Sequence, residues 1–188
     1  MTKNLKLTIV IGVLFAAVGA YLGARQAPAP AAGPVTTTIA PTTGVPHTPV
    51  TALFAESMND PAGKLQSLAQ WKGKAVIVNF WAPWCGPCVQ EMPELSALAS
   101  EHAAKGINVI GIGIDSPSNI NKFLSATKVS YPIYVAGLIG TSLSQQFGNT
   151  AGGLPFTVLI GADGQVKKTY LGRLKFDELK ADLAALKS

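Results

Sequence analysis

The pattern of apolar and polar residues predicts an α/β domain in the second part of the chain. Short apolar, β-branched runs predict buried strands at residues 75–80 and 107–114, and a shorter one at 131–135. Apolar residues at helical spacing, such as Met92, Leu95 and Leu98, predict a helix over 89–104. Other helices are predicted over 119–127, 141–147 and 176–186. Because strands and helices alternate, we expect parallel strand pairing with helices on both faces of the sheet.

A hairpin near the end of the chain makes the predicted sheet a mixed one. Runs typical of strands at 156–160 and 165–171 flank Gly161-Ala162-Asp163-Gly164, which contains the Asp-Gly pair favoured in tight turns. The sequence therefore predicts a mixed sheet of about five strands.

The first 25 residues predict a membrane anchor. Residues 7–24 carry no charge and follow Lys3 and Lys6. As a helix this stretch would span about 27 Å, close to the thickness of a hydrocarbon core. A cleaved signal peptide is the alternative, but the apolar run is longer than is usual for one. The excess of positive charge before the span predicts a cytoplasmic N-terminus, with the rest of the chain outside.

Residues 26–51 predict an extended linker. They are rich in Pro, Ala, Thr and Gly, and the repeated prolines argue against regular helix. The remaining residues, 52–188, are enough for one domain with its own core. The chain has 188 residues and a net charge of +5, yet its basic residues form no run. We therefore expect no nucleic-acid partner.

Both cysteines of the chain lie in Trp84-Cys85-Gly86-Pro87-Cys88, where a predicted strand gives way to a predicted helix. A helix N-terminus presents unpaired N–H groups and the positive end of the helix dipole, which lower the pKa of a cysteine. This placement predicts an exposed, attacking Cys85 and a shielded, resolving Cys88.

Two other uses of a cysteine pair fit the sequence less well than redox chemistry. A structural disulfide closing so short a loop would stabilise the fold by only about 2 kcal/mol in the chain-entropy treatment. A structural zinc site needs four ligands, whereas the chain offers two cysteines and only His47 and His102 besides. We therefore predict a redox-active disulfide, with no metal and no cofactor.

The string from Val78 to Leu95, VNFWAPWCGPCVQEMPEL, resembles the TlpA/ResA-type membrane-anchored thioredoxins of bacteria. The resemblance covers residues 53–186. It implies a thioredoxin fold with a helix–strand insert, here over 115–137, and protein-disulfide reductase activity. It also implies protein disulfide substrates in cytochrome c or copper-oxidase assembly, and a membrane thiol donor of the DsbD/CcdA type. The implied location is the bacterial inner membrane, with the domain facing the periplasm or the cell exterior.

Asn79 and Glu91 are the polar residues that bear on proton transfer. Cytoplasmic thioredoxins usually carry an aspartate at the place of Asn79, and an amide cannot accept a proton at neutral pH. We therefore expect Asn79 to be a buried residue satisfied by backbone. Glu91 shares a helix face with Cys88. The sequence taken alone favours an ordinary exposed helix acid at Glu91. The resemblance implies instead that Glu91 accepts the proton of Cys88, with a pKa raised by its surroundings.

The segment Gly152-Gly153-Leu154-Pro155-Phe156-Thr157 is the second candidate element of the site. Base rates alone favour a trans peptide bond before Pro155. The resemblance implies a cis-proline loop lying against the cysteines, in which the backbone of Leu154 pairs with substrate. We predict that Trp84, Leu154 and Pro155 bind the substrate.

The direction of electron flow stays open at this level. Gly86-Pro87 between the cysteines is typical of reducing thioredoxins, whereas the periplasm is kept oxidising. A disulfide oxidase or isomerase is the first alternative. A non-enzymatic Cu(I) chaperone is the second, and it would need a third soft ligand such as Met58 or Met92.

Overall fold

The computed structural model describes residues 48–186 of the chain. The predicted membrane span at 7–24 and nearly all of the predicted linker fall outside that range. Within residues 48–186, no helix combines the length and the apolar composition needed to cross a bilayer.

Seven strands of the described chain form one mixed sheet. In chain order they are β1 (Ser57–Asn59), β2 (Leu65–Ser67), β3 (Ala75–Trp81), β4 (Ile107–Gly113), β5 (Ile133–Val135), β6 (Phe156–Ile160) and β7 (Val166–Leu171). Their spatial order is β2-β1-β5-β4-β3-β6-β7. The strands β3, β4 and β5 run parallel, and every other neighbouring pair is antiparallel. β3 therefore lies inside the sheet, between β4 and β6.

Helices cover both faces of the sheet. They are α1 (Pro49–Ala55), α2 (Gly86–His102), α3 (Pro117–Ala126), α4 (Leu138–Gln146) and α5 (Phe176–Ala185), with 3-10 turns at Leu68–Trp71 and Ala103–Lys105. Side chains of α2, α3 and α5 share one apolar cluster with Ile77 and Trp81 of β3. Side chains of α1 and α4 share the other cluster with Val76, Val78 and Phe80. Alternate residues of β3 thus enter opposite cores, as the period of a strand requires.

The predicted thioredoxin-like α/β fold with a mixed sheet is confirmed, but the predicted number of about five strands is too low. The additional strands β1 and β2 have three residues each and expose most of their side chains. Strands this short leave no alternation of apolar and polar residues to detect. The helix–strand insert corresponds to α3 and β5.

The first described helix starts earlier than the composition suggested. Helix α1 begins at Pro49, inside the range expected to be extended, and buries Val50, Leu53 and Phe54. Proline is tolerated there because the first helical N–H has no partner within the helix. Thr48 caps the helix by accepting a hydrogen bond from the Thr51 N–H at 3.1 Å. The prediction of an extended linker is therefore wrong for residues 49–51.

Replacing Ser116 with alanine is expected to lower the free energy of unfolding by about 1 kcal/mol. Ser116 caps α3, and its Oγ accepts a hydrogen bond from the Asn119 N–H at 3.2 Å. Urea unfolding of the disulfide-intact protein measures the loss. Ser125→Ala, at an exposed position of the same helix, is the matched control. Equal losses in the two variants would contradict the capping role.

Candidate redox site

The two cysteines lie at the junction between β3 and α2, as predicted. β3 ends at Trp81, and Cys85 is the N-cap residue of α2. A disulfide joins Cys85 to Cys88, whose Cα atoms are 5.3 Å apart. The Cys88 N–H also donates a hydrogen bond to Cys85 Sγ at 3.3 Å. The positive end of α2 therefore points at the sulfur that we expect to act as nucleophile.

The two cysteines differ less in solvent exposure than the sequence predicted. Cys88 is fully buried, and Cys85 is also buried, with 5% of its surface exposed. The prediction of an exposed Cys85 is therefore wrong for the disulfide-bonded state. The bond holds Cys85 against the first turn of α2 and within the same apolar cluster as Cys88.

Glu91 lies one turn after Cys88 and is completely buried, unlike an ordinary surface acid. Its Oε1 accepts a hydrogen bond from Asn79 Nδ2 at 2.8 Å, and its Oε2 accepts one from the Leu174 N–H at 3.0 Å. Burial raises the pKa of Glu91 above its ordinary value of 4.5, although these two hydrogen bonds and the charge of Arg173 act to lower it. A buried carboxyl with a raised pKa is suited to accept and release a proton near neutral pH.

Asn79 is buried as expected, but its amide group is not satisfied by backbone. Its Nδ2 donates to Glu91 Oε1 and also to Thr157 Oγ1, the latter at 3.0 Å. Thr157 is the residue paired with Asn79 on β6. Asn79 therefore links the carboxyl of α2 to the sheet, and the expectation of backbone partners is wrong.

The Leu154–Pro155 peptide bond is cis, as the family resemblance implied. Phe156, the next residue, pairs with Phe80 of β3. The loop therefore lies beside the C-terminal end of β3, which leads into the segment that carries the cysteines. Leu154 packs against the apolar cluster that contains both cysteines. Asn149 fixes the loop, donating from Nδ2 to the Gly153 carbonyl at 2.9 Å and accepting from the Gly153 N–H at 3.1 Å.

Trp84 is the exposed aromatic residue beside the disulfide. Its side chain is 69% exposed, and it lines a surface pocket together with Asp115. Although burial acts to raise the pKa of Asp115, hydrogen bonds from Asn119 and Ser116 hold it below its ordinary value. The sequence did not indicate that Trp84 and Asp115 are neighbours, because Asp115 follows a different strand, 31 residues further along the chain.

Among residues 48–186, no group of three or more His, Cys, Asp or Glu side chains is placed to hold a metal ion. The two methionines considered as copper ligands are both in the core. Met58 packs on the face of the sheet opposite the cysteines, and Met92 is 1% exposed.

A disulfide at the start of the helix that follows the central strand, beside a cis-proline loop and a buried carboxyl, defines a class of protein: the thiol-disulfide oxidoreductases with a thioredoxin fold. The sequence pattern of the redoxin family matches residues 38–183. The chain belongs to the redoxin family.

Individual relatives agree with this assignment. The thiol-disulfide oxidoreductase ResA of Geobacillus thermodenitrificans is 30% identical over 131 residues, which are 69% of this chain and 73% of that protein. A thioredoxin-related protein from Neisseria meningitidis serogroup B is 34% identical with a TM-score of 0.61, covering 70% of this chain and 98% of that one. A thiol:disulfide interchange protein of Chlorobium tepidum is 26% identical with a TM-score of 0.62, covering 71% of this chain and 93% of that one.

Proposed function

We propose that this protein reduces disulfide bonds of partner proteins outside the bacterial cytoplasmic membrane, to which residues 7–24 anchor it. The observation that carries the proposal is the Cys85–Cys88 disulfide at the N-terminus of α2 with the buried Glu91 one turn further on. In the reduced protein these three side chains supply a nucleophile, a resolving thiol and a proton acceptor within two turns of one helix.

The proposed reaction begins with the reduced protein. The Cys85 thiolate, stabilised by the N-terminus of α2, attacks a sulfur of the partner's disulfide and displaces the other sulfur as a thiolate. Cys88 then attacks Cys85, its proton passes to Glu91, and the second partner sulfur leaves. The Cys85–Cys88 disulfide is the product state on the enzyme.

Substrate contact is proposed for three residues around the disulfide. Leu154, which precedes Pro155, packs against the apolar cluster that contains both cysteines, and the resemblance to thioredoxins supports pairing of its main chain with an extended partner segment in strand fashion. The exposed ring of Trp84 offers apolar surface beside it. Resemblance to the TlpA/ResA group supports cysteines of apocytochrome c or of copper-oxidase assembly factors as the partner sites.

The oxidised enzyme needs a source of electrons to complete a cycle. A domain outside the membrane cannot use cytoplasmic thioredoxin directly, so we propose a membrane thiol carrier of the DsbD/CcdA type as the donor. The anchor and linker would keep the domain within reach of that carrier.

The reduction potential of the Cys85–Cys88 pair tests the direction of the reaction. We expect a value near that of thioredoxin, about −270 mV. It is measured by equilibrating the full-length protein with dithiothreitol redox buffers and quantifying the free thiols. A value near about −120 mV, typical of a strong disulfide oxidant, would overturn the reductase assignment.

A further inference from the structure

A groove opens where the strands β1 and β5 stop pairing. Their ladder consists of one pair, Asn59 with Val135. Beyond that pair the two chains form opposite walls of a groove of about 530 Å³, with residues 60–62 on one side and residues 132–134 on the other. Three further side chains complete the lining of this β1–β5 groove: Gln66, Gln70 and Trp71. Its volume is typical of clefts that bind ligands.

The Tyr134 hydroxyl is the polar centre of the β1–β5 groove. Tyr134 is only 3% exposed. Its oxygen accepts a hydrogen bond from Trp71 Nε1 at 2.8 Å and another from Gln70 Nε2 at 3.2 Å, and these two bonds use its acceptor capacity. The hydroxyl proton has no acceptor among residues 48–186. The one partner that this hydroxyl can still take is therefore an acceptor oxygen of a ligand.

Asp60 restricts the charge of that ligand. Its carboxylate accepts hydrogen bonds from Gln66 Nε2 at 3.0 Å and from the Lys64 N–H at 2.9 Å, which hold its pKa below the ordinary value. Its charge also reaches Tyr134, whose pKa is raised chiefly by burial and further by Asp60. Because like charges repel, Asp60 disfavours an anion at the Tyr134 hydroxyl. The chemistry favours an uncharged oxygen, such as a carbonyl.

The main chain of Ile133 adds a donor and an acceptor to the β1–β5 groove. The Pro132 carbonyl accepts a hydrogen bond from the Gly111 N–H of β4 at 2.9 Å. Successive residues of a strand direct their main-chain groups to opposite sides, so the N–H and C=O of Ile133 face away from β4, toward β1. Continued pairing of β1 and β5 would place Pro61 opposite Ile133, and proline has no N–H to donate.

These groups together match the main chain of an extended polypeptide. Such a chain presents an uncharged carbonyl for Tyr134, and N–H and C=O groups for Ile133. Pro61, Pro132 and Trp71 supply apolar walls for its side chains. We propose that the β1–β5 groove binds an extended, uncharged segment of the partner protein, as a second contact besides the redox site. The proposal rests on the proposed function and adds to it where the partner is held.

The groove lies within reach of the redox site along one partner segment. Ile133 pairs with Gly111, and Gly111 pairs with Asn79 of β3. The groove is therefore two strand spacings from β3, about 10 Å across the sheet. An extended chain covers about 3.3 Å per residue, so a segment of about ten residues reaches both places. A second contact of this kind raises the affinity for the partner without altering the chemistry at Cys85.

Binding is tested by NMR on the full-length, oxidised, ¹⁵N-labelled protein. The probe is a capped decapeptide of alternating valine and serine, which has no charge and no cysteine. We expect the Trp71 indole and Ile133 amide signals to shift and saturate as peptide is added, because the Trp71 indole is bonded to the Tyr134 hydroxyl. Shifts confined to the Trp84 indole at the redox site, or no shift at all, would overturn the groove as a peptide site.

The charge of the ligand is tested with the same peptide carrying glutamate in place of serine. Asp60 lines the β1–β5 groove, whereas Lys74 lies over the Trp71 ring, 5.1 Å from its centroid, and outside the lining. We expect the Kd of the glutamate peptide to be higher by about tenfold. An equal or lower Kd would overturn the assignment of an uncharged segment.

The role of the hydroxyl is tested in Tyr134→Phe, which keeps the ring. We expect the Kd of the uncharged peptide, followed at the Ile133 amide, to rise about tenfold for the loss of one hydrogen bond. Tyr131→Phe is the matched control and should keep the wild-type Kd, because Tyr131 packs in the apolar cluster of the redox face. If Tyr134→Phe does not fold, Ala62→Tyr fills the groove from an exposed position and should weaken binding at least as much. A wild-type Kd in the folded variant would overturn the site.

The contribution to partner reduction is measured with a peptide that contains one internal disulfide, with and without the decapeptide attached. We expect the attachment to raise kcat/KM about tenfold in the wild-type protein and to have little effect in Tyr134→Phe. Equal kcat/KM for the two peptides in the wild type would overturn the groove as a partner contact. If neither peptide is reduced while the decapeptide still binds, the proposed reductase function fails and the peptide site is supported.

Discussion

Cys88→Ala is expected to turn over no protein disulfide and to accumulate instead as a covalent complex through Cys85. Cys85 retains its place at the N-terminus of α2 and can still attack, but nothing in the variant displaces it from the mixed disulfide. Insulin serves as a defined protein disulfide, and non-reducing electrophoresis with mass spectrometry identifies the adduct. We expect near-complete conversion with the reduced variant in the presence of excess insulin.

The matched control is Cys85→Ala, in which the buried Cys88 is the remaining thiol. It is expected to form little or no adduct under the same conditions. Equal trapping by both single variants would contradict the assignment of Cys85 as nucleophile. Failure of Cys88→Ala to form any adduct would contradict the oxidoreductase mechanism and favour a thiol chaperone.

Glu91→Gln is expected to slow the resolving step by roughly 100-fold near neutral pH, at the lower end of what a positioned base contributes. The wild-type rate should rise with pH through the raised pKa of Glu91, because only the carboxylate can take the proton of Cys88. The variant should lack that rise. Single-turnover release of a fluorescent thiol from the Cys85 mixed disulfide measures both. Glu94→Gln, at an exposed position of the same helix, should behave as wild type.

The raised pKa of Glu91 predicts the direction in which the free energy of unfolding changes with pH. Below about 4.3, the pKa of a glutamate in an unfolded chain, Glu91 is protonated in both states and its contribution is fully present. As pH rises further, the unfolded state ionises while the folded state holds its proton, so wild-type stability falls until pH exceeds the folded pKa. The free energy of unfolding of oxidised Glu91→Gln minus that of the oxidised wild type should therefore increase as pH rises. A difference that does not change with pH would contradict the raised pKa.

The spacing of apolar and turn-forming residues along the chain was enough to predict the strands and the helix that form the redox site. The apolar run of β3, the helical spacing of α2 and the hairpin of β6 and β7 are all continuous segments of chain with strong periodicity. The cis bond at Pro155 could be predicted from family resemblance alone, because propensity favours the trans form.

The partners of Glu91 could not be predicted in the same way. Asn79, Thr157 and Leu174 come from three separate segments, and only the strand register and the loop before α5 bring them together. Nor could the burial of Cys85 be read from its neighbours in sequence, since it depends on packing by residues remote along the chain. Periodicity describes a segment, whereas these contacts arise between segments.

The hydrogen bond from Leu174 to Glu91 has a consequence for how the site can change over time. Its donor is a main-chain N–H, so nearly any residue at that position preserves the bond and only proline abolishes it. The side chain of Leu174 is buried in the apolar cluster that contains both cysteines, so packing restricts position 174 to apolar residues, whereas the bond to Glu91 does not depend on which of them is present. This part of the site is encoded by the path of the backbone, which a search for sequence motifs does not detect.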